Sequence, residues 1–191
     1  MTSMKSRTWP LAEATEVAEE LITLLRPNCE RIEVAGSVRR QKARVGDVEL
    51  LAVSKTSPSY LNVRPDRPRL EYVHLDARVL ELITKDILRY RLNKKGSRTY
   101  GRLNKLLVHV PSGIGVDLFS TTTENWGMSL VVRTGSASFC IQVMSRLKAL
   151  GHSGHAYGGI TLKRGEEIDC PTEEEVFRIL GWAWMDPQQR E

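Results

Sequence analysis

No apolar run in these 191 residues approaches the roughly 20 needed to cross a bilayer, and no signal-peptide hydrophobic region is visible. The expectation is a soluble, intracellular protein with no membrane partner. Cysteine is scarce and odd in number: Cys29, Cys140 and Cys170 stand far apart, which fits reduced thiols in a cytosol-like compartment better than a disulfide framework. There is no internal repeat and no low-complexity tract. His152 and His155 find no fourth ligand at zinc spacing beyond Cys170, so they read as surface or packing residues. Acidic excess is also missing. The net charge is +5 with a pI near 9.2, which permits a polyanionic partner without requiring one. A hydrophobic content of 41% and a charged content of 27% are those of a folded chain, long enough for one ordinary domain or two small lobes.

Apolar periodicity sets out the elements. Leu11, Ala14, Val17, Ala18, Leu21, Ile22 and Leu25 recur at helical spacing between Pro10 and Pro27, which predicts a helix over 10–26. Residues 30–35 read as a short strand and 46–54 as a buried central strand. Residues 55–70, with Pro58, Pro65 and Pro68, read as an exposed connection, and 75–84 as a helix. Residues 105–110 and 115–120 read as strands joined by the turn Pro111-Ser112-Gly113. Further on, Thr134-Gly135-Ser136 opens a helix that ends at Gly151, 157–162 is a short strand, and Thr172-Glu173-Glu174-Glu175 is a capping box.

The chemistry concentrates in Gly36-Ser37-Val38-Arg39-Arg40 and Gly46-Asp47-Val48-Glu49-Leu50. On a strand, Asp47 and Glu49 share one face while Val48 and Leu50 take the other. Two carboxylates side by side repel unless a divalent cation lies between them. The backbone N–H groups of a Gly-Ser turn can hold phosphate oxygens nearby. Asp117, between Val116 and Leu118, is a third carboxylate on a buried strand and the natural third metal ligand. A basic stretch carries Arg89, Arg91, Lys94, Lys95, Arg98, Arg102 and Lys105, interleaved with Tyr90 and Tyr100 and opposed only by Asp86. A solvated hairpin edge and a nucleic-acid surface account for it equally well. Trp182 and Trp184 read as packing of the last helix, and Cys29 and Cys140 have no base nearby in sequence.

In these motifs the chain resembles the family X DNA polymerases of the nucleotidyltransferase superfamily. The likeness continues through Val116-Asp117-Leu118, Arg133-Thr134-Gly135-Ser136-Ala137-Ser138-Phe139, Gly151 to Tyr157-Gly158 and Phe177-Arg178-Ile179-Leu180-Gly181, and includes Pro187 with Arg190-Glu191. The resemblance implies an α+β fold: a nucleotidyltransferase palm, a mixed sheet with flanking helices, over residues 1–121, then a small α/β thumb over 122–191. Asp47, Glu49 and Asp117 would hold two Mg²⁺ ions, replaceable by Mn²⁺, for in-line transfer to a DNA 3′ end with release of pyrophosphate. Gly36, Ser37, Arg40 and Gly46 would contact the triphosphate, and Arg133, Thr134 and Gly135 the rest of the nucleotide. Lys94, Lys95, Arg98, Arg102, Lys105 and Tyr157 would contact primer-template or gapped DNA. A monomer is expected. The N-terminal lyase lobe and helix-hairpin-helix modules have no room in this length, which is similar to that of small viral members.

Four positions depart from the family pattern. Glu49 stands where Asp is usual. Gly115, two residues before Asp117, stands where an Arg is usual, so one primer-side contact is missing. Val132-Arg133 replace an aromatic pair, and Cys140 and Met144 replace polar contacts to the nascent pair. Two other functions stay open at this level: template-independent transfer to an RNA end, a protein or a small molecule, and a non-catalytic nucleic-acid-binding module.

Overall fold

Strand β1 (Trp9–Pro10) gives way to α1 (Leu11–Leu25) at a proline whose φ of −58° already suits a helix start. The computed structural model describes residues 7–58, 71–93, 95–155, 157 and 159–191. A 3₁₀ turn with Pro27 closes α1 and delivers the chain to β2 (Cys29–Val34). A single helical turn, α2 (Gly36–Arg39), follows, then β3 (Arg44–Val45), which pairs with β1, and the central β4 (Val48–Ser54). The expected connection over 55–70 begins and ends in a short antiparallel pair, β5 (Thr56–Pro58) with β6 (Glu71–Val73). Pro65 and Pro68 lie outside the described residues.

Helix α3 (His74–Thr84) leads into β7 (Leu88–Tyr90), β8 (Asn104–His109) and β9 (Gly115–Ser120). These complete a five-stranded mixed sheet of order β2-β4-β9-β8-β7, in which only β4 and β9 run parallel. Apolar side chains of α1 and α3 pack on one face of it, against Val48, Leu50, Ala52, Leu107, Val116 and Leu118.

The rest of the chain is α4 (Trp126–Thr134), α5 (Ala137–Ala149), a three-stranded sheet of β10 (Ser153–His155), β11 (Gly159–Thr161) and β12 (Glu167–Ile168), and α6 (Glu173–Leu180). It has its own core of Met128, Val131, Phe139, Val143, Leu147, Ile160, Val176, Phe177 and Leu180. The Ser136 cap of α5 and the Thr172–Glu175 capping box of α6 form as the sequence predicts. Helix α4 has no sequence forecast because it is buried nearly all round and shows no polar face for the periodicity to reveal. Its Trp126 and Leu130 cover the second face of the large sheet with Leu51, Val53 and Phe119, while Met128 and Val131 join the C-terminal core. One helix thus fastens the two halves together.

Candidate active site at the seam between the lobes

The alternation of β4 and β9 decides where the carboxylates go. Val48, Leu50, Val116 and Leu118 turn into the α1/α3 core, so Glu49 and Asp117 turn to the face that α4 partly covers. Glu49 and Asp117 are direct cross-strand partners in the parallel ladder. Asp47 sits just outside β4 rather than within it, at the mouth of the same face. The three acids predicted from sequence are therefore brought together, at the point where the apolar cover of Leu51, Val53 and Phe119 stops.

Burial dominates their electrostatics. Burial pushes Glu49 up to about 7, and the neighbouring Asp47 and Asp117 add to the rise. Burial likewise lifts Asp117 to about 6, overcoming the Arg91 guanidinium beside it, and it raises Asp47 against the same arginine. Among the described residues, no three acid, histidine or cysteine groups form a ready-made metal cage. A hydrogen-bonded ion pair joins Arg91 to Asp117 instead, with Asp47 3.8 Å from the same guanidinium. The donor set is hard oxygen on and beside two adjoining strands. These residues fit a hard divalent ion.

The phosphate turn of the sequence reading is the single-turn helix α2, and it abuts the cluster. Gly36 has φ +62°, and a Cβ there would fall on the Glu49 carboxylate. Glycine is therefore required twice at this position, for backbone conformation and for the close approach of Glu49. Ser37 is half-buried beside it, while Gly46 is exposed and has open space around it.

Arg40 and Arg133 lie near enough to draw Glu49 downward, but both are engaged. Arg40 donates to the Thr134 carbonyl at 2.5 Å and to Glu191 at 3.0 Å. Arg133 is stacked between two rings, 3.7 Å from the centre of Phe119 and 4.4 Å from that of Tyr157. Thr134 is fully buried, its hydroxyl accepting from Arg39, and a Cβ on Gly135 would collide with Phe139. Tyr157 also lines a cavity of about 580 Å³ at the far ends of β4 and β9, with Ser54, Ser120, Thr121 and Arg102.

The sequence reading missed a bridge beside this site. Arg39 places both its terminal nitrogens on Glu173, at 2.7 and 2.8 Å, and the fully buried Arg190 grips the same carboxylate at 2.5 and 3.1 Å. Burial acts to raise Glu173, but the two guanidiniums outweigh it and hold the carboxyl below its ordinary range. Arg39 and Arg190 were visible in the motifs, yet nothing in sequence shows that residues 134 and 151 positions away meet at α2.

The basic stretch divides. Lys95, Arg98 and Arg102 are exposed, Arg98 lying 3.8 Å over the Tyr90 ring, and Lys94 lies outside the described residues. Lys105 is a correction: it is fully buried, its ammonium 2.7 Å from Asp76 and beside the Tyr100 ring, so it is not part of a DNA-facing surface. It points inward because β8 alternates, and 105 falls on the core side. Trp182 packs on Phe139 as expected, whereas Trp184 is 46% exposed.

Comparison with known proteins joins these two halves. Residues 129–191 match the DNA polymerase beta thumb family. The repair DNA polymerase X of African swine fever virus (isolate Pig/Kenya/KEN-50/1950) is 24% identical, over 93% of this chain and 89% of the viral one. The chain is thus similar to DNA polymerases of family X, and its C-terminal third matches their thumb. The Badajoz 1971 strain's repair DNA polymerase X is 25% identical over the same shares, and rat DNA polymerase lambda is 25% identical over 82% of this chain. The chain spans 28% of the rat protein's length. The thumb match begins within α4, the helix that joins the two cores. No helix among the described residues is long and apolar enough to cross a membrane.

Proposed function

We propose that this chain is a family X DNA polymerase that adds deoxynucleotides to a DNA 3′ end, in short-gap filling or repair synthesis. The observation that carries the reading is the cross-strand pair Glu49–Asp117, with Asp47 at its mouth and α2 against its side. The lobes divide near residues 121 and 122, palm before and thumb after, and one chain supplies the whole site, which suits a monomer. Asp47, Glu49 and Asp117 would hold two Mg²⁺ ions, with Mn²⁺ as a substitute.

Bound there, divalent ions would neutralise the triphosphate and make the 3′-hydroxyl easier to deprotonate. The chain's own residues do the placing. Gly36 and Ser37 present the leading N–H groups of α2, which lack intrahelical acceptors, to the triphosphate oxygens. Gly46 leaves open space beside them for the same group. Arg40 reaches it by exchanging Glu191 for a phosphate, a bidentate grip that lysine would not reproduce. Gly135 opens the floor of the nucleotide pocket next to Cys140, Thr134 fixes that turn, and Arg133 borders the pocket. Lys95, Arg98 and Arg102, with Tyr157 across the seam, face the DNA. In the reaction the 3′-oxygen bonds to the α-phosphorus, the bond to the bridging oxygen breaks, and pyrophosphate leaves. The hydroxyl proton passes to a carboxylate of the cluster or to solvent.

The test is Asp117→Ala, assayed for primer extension and separately for DNA binding. Extension should fall by about 10³-fold or more while DNA affinity holds, the pattern of a residue needed in the transition state. Equal extension by the variant would overturn the reading.

A further inference from the structure

The guanidinium beside Asp117 comes from an unexpected strand. Arg91 follows β7 and is tied into the sheet by its N–H, which donates to Leu106 of β8 at 3.0 Å. Leu106 is the cross-strand partner of Asp117, and Asp117 of Glu49. Glu49, Asp117, Leu106 and Arg91 therefore form one row across four strands, and Arg91 reaches over Leu106 to the acids. It can do so because Gly115, two residues before Asp117 on the same face, has no side chain. A Cβ there would strike the Arg91 guanidinium. The arginine that sequence reading finds missing at 115 has its space filled from 91.

We propose that Arg91 is a positioning residue of the carboxylate cluster, and that Gly115 is glycine to admit it. The proposal rests on the metal-dependent transfer reading above. Arg91 holds Asp117 in the orientation needed by the acceptor side of the site, and its positive charge opposes entry of a second cation. It flanks the cluster on the Asp117 side, with Asp47 3.8 Å away. Removing it should thus loosen Asp117 while easing metal entry, two effects of opposite sign that loss of fold alone would not give.

The experiment titrates Mn²⁺ into DNA-free protein, reading the free-ion EPR signal, for wild type, Arg91→Gln, Arg91→Lys and the double variant Arg91→Gln with Gly115→Arg. Arg91→Gln should bind Mn²⁺ about fivefold more tightly, because a cation no longer competes for the acids. Its kcat for extension should drop about tenfold with the nucleotide KM nearly unchanged. Arg91→Lys should keep wild-type Mn²⁺ affinity, and its kcat should lie between the two, since it retains the charge without the planar fork. The double variant returns a guanidinium to the same face and should recover both quantities in part. Unchanged or weaker Mn²⁺ binding by Arg91→Gln, or a double variant no better than the single one, would overturn the proposal. If the wild type extends no primer, the polymerase reading fails, and the Mn²⁺ titration still decides the role of Arg91.

Discussion

Glu49 carries the strongest electrostatic tension among the candidate site residues. Its carboxyl stands at about 7 in the fold, against an ordinary 4.5, because it is buried and faces two more acids. A carboxyl raised in this way binds more protons folded than unfolded, so it costs stability as pH rises from 4.5 to about 7, and that cost is complete above this range. Replacing it with a neutral isostere removes the cost. Glu49→Gln in metal-free protein should unfold at higher denaturant at pH 8, by about 2 kcal/mol, and by little at pH 4. Mg²⁺ should stabilise the wild type at pH 8 and the variant much less. Chemical denaturation at both pH values checks this, and a less stable variant at pH 8 would mean that Glu49 is satisfied by its neighbours. The acids and their shared face were legible because a strand's period is two. Arg91 was legible only as one cation in a basic run, since its contact with Asp117 depends on which strands lie side by side.

At the scale of elements, sequence period told the truth where one face was wet. Helices α1 and α3, the cap of α5 and the capping box of α6 stand as forecast. It was silent where both faces are dry, as in α4, and it read the single helical turn α2 as a phosphate-holding Gly-Ser turn. The bridge from α2 to α6 belongs to this scale as well. Glu173 is held down by Arg39 and Arg190, so its contribution is present above pH 4.5 and is lost as pH falls through the lowered value. Glu173→Gln leaves two guanidiniums, one fully buried, without a counter-charge and should cost about 3 kcal/mol. Fluorescence of Trp184, whose ring lies 5.6 Å from Arg190, should report that loss in denaturant and in acid. A variant as stable as wild type would show that the bridge holds nothing together.

At the scale of the molecule, two cores share α4, and the carboxylates lie in the seam that this helix leaves open. A net charge of +5 permits a polyanion, and the exposed Lys95, Arg98 and Arg102 lie on a loop of the N-terminal half. The whole arrangement is accounted for if the seam takes a nucleotide and a DNA end together. The most direct test is single-nucleotide extension with Mg²⁺ on single-stranded, recessed and one-nucleotide-gapped DNA, offering each deoxynucleotide alone. Incorporation that follows the template base and is strongest on the gap is the predicted result. Addition regardless of the template base, or none on any DNA end, would contradict it.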